Sequence, residues 1–274
     1  VKTIVIAEIG ENHLGDLERA KEMVAAAAAA GADYVKFQSY RGADVADDDP
    51  EKEWFSRVEL SDRDHYVLRE HARKNGVEFL SSPFTLERAR FLCEGLGLTR
   101  IKIASSEMLN CELLDYVNTR AETVFLSTGM STLEEVDRAL SRLGKVPERY
   151  VLHCVTQYPA KPGELNLRVI RTLQAVFEDC RAGYSDHSLG IDACLAAVAC
   201  GARVIEKHFT LDKGLPGTDH VLSVTPEELR ELITRIRHLE TMLGSPVKQP
   251  TPRELAIRES VRGRFAKGAA VRAE

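Results

Sequence analysis

Residues 203–210 of the chain read RVIEKHFT, and residues 181–187 read RAGYSDH. Both begin like buried strands and end in ionisable groups. Side chains alternate across a strand, so Val204, Glu206 and His208 share one face while Ile205, Lys207 and Phe209 share the other. Ser185 and His187 likewise share a face. Neighbouring strands lie about 4.8 Å apart, close enough for two imidazoles at consecutive strand ends to converge on one ion. Neutral imidazole suits a first-row divalent metal, and two histidines completed by water or substrate oxygens form an open, catalytic type of site. The alternative is that each histidine is a hydrogen-bonded structural residue.

The same parity argument applied to other strand-like runs adds Glu8, in line with Ile4 and Ile6, then Lys36 with Gln38, and Ser127 with Phe125. Lys102 comes from the middle of a fourth run. If these faces point inward, they gather Glu8, Lys36, Gln38, Lys102, Ser127, Ser185, His187, Glu206 and His208 at one place. An apolar core would not select that set, because burying unpaired charge costs on the order of several kcal/mol per ion. Lys36 and Lys102 have two readings: salt-bridge partners of Glu8 and Glu206, or point charges for a bound phosphate and carboxylate. His13 and His153 could support such a site through hydrogen bonds; His220 is a weaker case, and His238 reads as a solvated helix face.

Eight strand signals are present, six of them carrying these groups: 3–10, 33–39, 77–83, 100–106, 123–129, 149–155, 181–187 and 203–209. Helical segments separate them. Their signals include Gly31 after an alanine-rich run, Ser61 before and Gly76 after a second helix, and Ser131 or Thr132 before and Gly144 after a third. Thr225-Pro226 opens the helix that closes on Gly244. Strand–helix alternation repeated eight times predicts a (β/α)₈ TIM barrel over residues 1–244, with the polar strand ends at its C-terminal mouth. A doubly wound open sheet is the rival, and no GxGxxG follows the first strand to favour it. Residues 245–274 hold three prolines near their start and then a basic, weakly periodic run. They predict a linker or extended C-terminal arm with one short helix near 254–259.

Composition narrows the function classes. The net charge of −5 and the lack of a basic aromatic patch argue against nucleic-acid binding. No apolar run reaches the ~20 residues of a membrane span, and no signal peptide is visible. The six cysteines form no CxxC pair, which predicts reduced thiols in a cytoplasmic protein.

The motifs AEIGENHLGD, GADYVKFQ, FLSSPF, KIASSEM, LSTGMSTLEE, LHCVTQYP, GYSDHSLGIDACLAAVACGARVIEKHFTLD and LPGTDH occur in that order between residues 3 and 243. In this the chain resembles the catalytic barrel of the sialic acid synthase family, the phosphoenolpyruvate-dependent synthases of nonulosonic acids. The resemblance implies condensation of phosphoenolpyruvate with an open-chain N-acetylmannosamine-type aldehyde, releasing phosphate. It implies manganese(II), with magnesium or cobalt as substitutes, held by His187 and His208. It assigns Lys36, Lys102, Ser105, Ser127 and Ser185 to phosphoenolpyruvate, with Tyr158 beside them. It places Glu8, Gln38, Glu107 and Asp219 at the sugar or the reacting water, with Glu8 first and Asp219 second for proton handling and Glu206 orienting the metal motif. Ser105 is out of parity with Lys102, so the strand must bend if both touch one phosphate. A homodimer is also implied, since family members usually continue into an antifreeze-like domain exchanged between subunits. The 274 residues cover the barrel and an arm leading toward such a domain. Leu14 and Thr156 depart from the family pattern, which keeps a different aldehyde open as acceptor. A metal-assisted keto-acid aldolase is the other enzymatic alternative, and a non-catalytic barrel the third reading.

Overall fold

A computed structural model describes residues 2–262 and 264–265. Eight strands alternate with helices: β1 (Ile4–Gly10), β2 (Tyr34–Ser39), β3 (Glu78–Pro83), β4 (Arg100–Ile103), β5 (Thr123–Ser127), β6 (Glu148–His153), β7 (Arg181–Asp186) and β8 (Val204–His208). All ladders are parallel, in the order β3-β2-β1-β8-β7-β6-β5-β4. β3 and β4 come side by side to bring the ring nearly to closure. The fold is a (β/α)₈ barrel.

The chain forms two compact units, Val1–Glu240 and Thr241–Glu274. The second contains a helix at Pro252–Val261, longer than the short one expected near 254–259 and opened by a reciprocal Thr251–Glu254 capping box. Residues 263 and 266–274 of the expected arm lie outside the described residues. Among the described residues no helix is long and apolar enough to cross a membrane.

Local chemistry explains the barrel's helices. Asp16 caps the helix Leu17–Ala30 by accepting from the backbone N–H groups of Glu18 and Arg19, and Gly31 ends it at φ 97°. Ser61 with Asp64, and Thr132 with Glu135, form capping boxes on the helices Asp62–Lys74 and Leu133–Arg142. Thr132→Ala is expected to lower stability by ~1 kcal/mol, read as a lower urea midpoint at unchanged m-value.

Two apolar layers result from strand alternation. Outward-facing strand residues such as Val5, Val35, Ile101, Leu126 and Ile205 join the helices in one continuous core. Inward, Ile6, Leu80, Phe125, Tyr150, Leu152 and Val204 pack across the barrel axis. Phe125 stacks on Tyr150 with ring centres 4.9 Å apart. This plug fills the lower barrel, so the next inward residues toward the C-terminal ends have a floor beneath them.

Candidate active site

The register carries the polar layer directly above that floor. Ile6 pairs with Glu206 across β1 and β8, and Glu8 pairs with His208 two residues further along. On its other side Glu8 pairs with Lys36, and Ser185 pairs with Glu206. Four charged side chains therefore meet inside the barrel, each no more than 4% exposed. Lys36 Nζ lies 2.8 Å from Glu8 Oε1 and 4.0 Å from Glu206 Oε2, and Lys102 Nζ lies 3.5 Å from Glu206 Oε1. Ser185 Oγ donates to Glu206 Oε1 at 2.8 Å. Both lysines are thus ion-paired, as the first of their two readings anticipated.

That pairing does not saturate the groups. Glu8 Oε2, Glu206 Oε2 and Ser127 Oγ are buried without a hydrogen-bond partner, a costly state that a polar ligand would relieve. Burial raises the Glu8 pKa against the opposing pull of Lys36. Burial also opposes ionisation of Glu206, but Lys102 and Lys36 outweigh it and hold that carboxyl at about 2. Lys102 is lowered by burial, whereas at Lys36 burial is overcome by Glu206 and Glu8 and the pKa rises. Burial and the two ammonium groups thus act on neighbouring carboxylates in opposite directions, a pattern common at functional sites and also found in structural ion-pair networks.

A cavity of about 400 Å³ opens over this layer. Its walls include Glu8, Lys36, Gln38, Lys102, Ser105, Ser127, Tyr158, Ser185, His187, Glu206, His208 and Asp219. Of the residues assigned from the sequence to substrate, metal or proton transfer, Glu107 alone is missing from the wall. It lies in a 3₁₀ turn, Ser105–Glu107, where its carboxylate accepts from Asn110 Nδ2 at 2.9 Å. Ser105 reaches the cavity because β4 stops at Ile103 and the chain enters this turn, so strand parity no longer applies to it. The loop after β5 approaches closely there. A Cβ on Gly129, at φ 47°, would fall 2.4 Å from Ser105 Cβ and 2.7 Å from Thr156 Oγ1, which only glycine avoids.

The two imidazoles meet as the strand ends predicted, although β7 ends at Asp186 and His187 follows it. Their ring centres are 5.4 Å apart. Tyr158 stacks on His187 at 4.1 Å and meets His208 edge-on at 5.9 Å. His187 Nδ1 donates to the Val155 carbonyl at 2.7 Å, which leaves Nε2 with a free lone pair. Burial, with His208 nearby, depresses the His187 pKa to about 4, so that ring is neutral at neutral pH. His208 Nδ1 lies 3.2 Å from Asp219 Oδ2 at ion-pair distance, though not aligned as a hydrogen bond. Burial disfavours the His208 cation, but Asp219 outweighs it and the pKa rises.

These features fit a divalent cation. The His187 tautomer is fixed by a carbonyl, and a carboxylate stands behind His208 to orient its ring and raise its basicity, the usual outer partners of metal-binding imidazoles. Among the described residues no cluster of three or more His, Cys, Asp or Glu is arranged as a ligand set, so the remaining positions would fall to water and substrate oxygens, as in an open site. Cys154 also lines the cavity, but burial raises its thiol pKa and its Sγ accepts from the Gly129 N–H. All six cysteines are free thiols.

On the outer side of the same strand ends sits a second buried pair. Asp186 and Lys207 are fully buried and 2.7 Å apart. Asp186 also accepts from the Tyr184 and Ser188 hydroxyls and the Ser188 N–H, and Lys207 donates to the Ser188 carbonyl. Pinning residues 186 and 207 fixes the backbone that presents His187 and His208 inward. Three other histidines make local contacts. His13 Nδ1 accepts from the Gly15 N–H, His153 Nε2 contacts the Leu165 carbonyl, and His220 contacts Thr210 Oγ1.

Strand parity misses wall residues that come from the connections between strands, chiefly Glu11, Glu51, Phe84, Met130 and Thr218 in loops and Phe55 in the helix Lys52–Val58. Glu11 had one visible signal: it stands inside the EIGENH stretch directly after β1.

An eight-stranded barrel with a buried, charged C-terminal mouth is the layout of a (β/α)₈ enzyme. The sequence profile of the NeuB family matches residues 23–248, and the chain belongs to that family, which comprises sialic acid synthases and related sugar acid synthases. It is 42% identical to the N,N'-diacetyllegionaminic acid synthase of Legionella pneumophila over 94% of this chain and 78% of that protein. It is 35% identical to human N-acetylneuraminate-9-phosphate synthase over 94% of this chain and 76% of that protein. The crystal structure of N-acetylneuraminic acid (sialic acid) synthetase from Leptospira borgpetersenii superposes with a TM-score of 0.92 at 33% identity, covering 97% of this chain and 94% of that one.

Proposed function

We propose that the protein condenses phosphoenolpyruvate with an N-acetylmannosamine-type open-chain aldose, giving a sialic-acid-like 2-keto-3-deoxy nonulosonic acid and phosphate. One observation carries the reading: two buried lysines, a set of serines and two facing imidazoles share a single cavity whose carboxylate and hydroxyl groups are left unsatisfied. Manganese(II), or magnesium or cobalt in its place, is the proposed ion between His187 and His208. When bound there it supplies Lewis acidity toward a carbonyl oxygen.

Lys36 and Lys102, with Ser105, Ser127 and Ser185, hold phosphoenolpyruvate and offset the charge of the departing phosphate. The enol carbon forms a bond to the aldehyde carbon, leaving positive character at the phosphate-bearing carbon. Water adds there, and the C–O bond to phosphate then breaks to give the ketone. Of the two protons that water loses, one ends on the aldehyde oxygen and the other on the departing phosphate. Glu8 suits that transfer because burial lifts its pKa and its Oε2 is unpartnered, and Asp219 stands second. Ser127 Oγ faces the same cavity and can donate to a phosphate oxygen. Tyr158 flanks the reacting region against the His187 ring, and Gln38 Nε2 lies 3.5 Å from Glu8 Oε1, where it can steer that carboxylate or the sugar. Cytoplasmic placement and a homodimer complete the proposal; native mass tests the latter.

Incubation with manganese, phosphoenolpyruvate and N-acetylmannosamine should release phosphate and form a thiobarbiturate-positive keto acid in equal amounts. Cleavage of a preformed keto acid without phosphoenolpyruvate, and no phosphate release with any aldose of six to eight carbons, would mark an aldolase instead.

A further inference from the structure

Asp186 and Lys207 stand outside the cavity wall, and the proposed chemistry gives them nothing to do. The Asp186 carboxylate accepts from five donors. Its Oδ1 takes the Tyr184 hydroxyl at 3.0 Å and the Ser188 N–H and hydroxyl at 2.9 and 2.7 Å. Its Oδ2 takes Lys207 Nζ at 2.7 Å and the Cys194 thiol at 3.3 Å. Every residue of this cluster is buried. Burial opposes ionisation of Asp186, but Lys207 and the Ser188 donors outweigh it and lower the pKa. Both carboxylate oxygens are satisfied, so the cluster offers nothing to a ligand. Nor is net stability a sufficient reason for it, since apolar residues of similar volume often serve as well as a buried ion pair. What such a pair can add is a fixed geometry.

That geometry bears on the two imidazoles. The ladder between β7 and β8 ends at the Asp186–Lys207 rung, immediately before each histidine. Beyond it the main chains turn to different neighbours. The His187 carbonyl accepts from the Ala160 N–H at 2.9 Å, and the His208 carbonyl from the Val224 N–H at 2.8 Å. His208 keeps its rung with Glu8 on β1, whereas the His187 ring is tied to the Val155 carbonyl after β6. Each ring is thus anchored on its own far side, away from the other. Lys207 spans the gap. Its ammonium donates to Asp186 Oδ2 and to the Ser188 carbonyl, the residues on both sides of His187, while its own main chain leads directly into His208. Groups that share one ion must be held to within about 0.5 Å, and this clamp is the side-chain link between the two strand ends that carry them.

We infer that Asp186 and Lys207 are positioning residues that set the affinity for a divalent ion, by holding His187 and His208 at one separation from outside the cavity. The inference rests on the ion proposed between those rings. A double variant, Asp186→Asn with Lys207→Met, removes both charges, strands neither, and keeps an acceptor for Tyr184 and Ser188. Isothermal titration of the substrate-free protein with manganese(II) gives the affinity, and thermal unfolding of the same samples without metal gives the stability. The double variant should melt within about 5 °C of the original, yet bind manganese ~10–100-fold more weakly. A purely structural pair would leave that affinity unmoved. Tyr184→Phe removes one donor to Asp186 and leaves no charge unpaired; it should weaken binding about threefold. His208→Ala, which removes a proposed ligand, marks complete loss of the site. If His208→Ala loses manganese while the folded double variant binds it as the original does, the inference is overturned and the metal reading stands. Should the double variant not fold, unchanged affinity in Tyr184→Phe overturns it in the same way. Manganese bound equally by the original protein and His208→Ala removes the metal reading and the inference together.

Discussion

His208→Ala is expected to abolish tight manganese binding and to lower kcat/KM by ~10³-fold or more. Loss of a Lewis acid worth several kcal/mol sets that scale, at about 1.4 kcal/mol per tenfold. The geometry gives the variant no substitute. His187 is the one other imidazole on the cavity wall, and a single imidazole with water cannot hold the ion against competing solvent. His187→Ala should behave alike. Asp219→Asn should be milder, about 10–100-fold, because Asp219 acts on His208 from behind at 3.2 Å. Isothermal titration with manganese, without substrate, separates these cases from a general loss of structure. Metal at ~100 times its Kd should stabilise the unmodified protein by ~2.7 kcal/mol and the His208 variant not at all. Undiminished manganese affinity in a folded His208→Ala protein would show that the two rings are only structural.

How this site was visible beforehand follows from how strands work. Parity is a strict rule inside a strand, so Glu206 with His208, Lys36 with Gln38, and Ser127 with Phe125 were readable from spacing alone, and the register then sets Glu8 between Lys36 and His208. The rule fails where the strand ends. Ser105 appeared out of phase because β4 terminates two residues before it, and Glu107, placed at the site by the resemblance and not by parity, lies in the 3₁₀ turn that follows. Connecting segments carry no such periodicity, which is why Glu11, after β1, and Glu51 and Phe55, at and in the helix Lys52–Val58, emerge only when the two segments are seen folded together. The Asp186–Lys207 pair was latent in the sequence. An acid and a base on the outward, core-facing side of adjacent strands cannot stay unpaired, so their joint presence on β7 and β8 implies the contact.

The four buried charges leave one ambiguity that stability and activity can divide. As a purely structural network, Lys102 and Glu206 need only each other. As substrate machinery, Lys102 must also face phosphoenolpyruvate. Lys102→Met removes the cation 3.5 Å from Glu206 Oε1 and leaves that carboxylate with Ser185 and the more distant Lys36. The expected cost is about 3–5 kcal/mol, since a buried charge loses its partner. Adding Glu206→Gln removes the stranded charge, and the double variant should regain most of the lost stability, with Gln accepting from Ser185 in its place. Phosphate release should not return: both proteins should remain at least ~10³-fold below the original kcat/KM, because no ammonium remains on that side to meet the departing phosphate. Thermal unfolding and single-turnover phosphate release on the same three samples decide the matter. Recovery of both quantities together in the double variant would assign the pair to architecture alone, and recovery of stability without turnover shows that the pair serves the reaction as well as the fold.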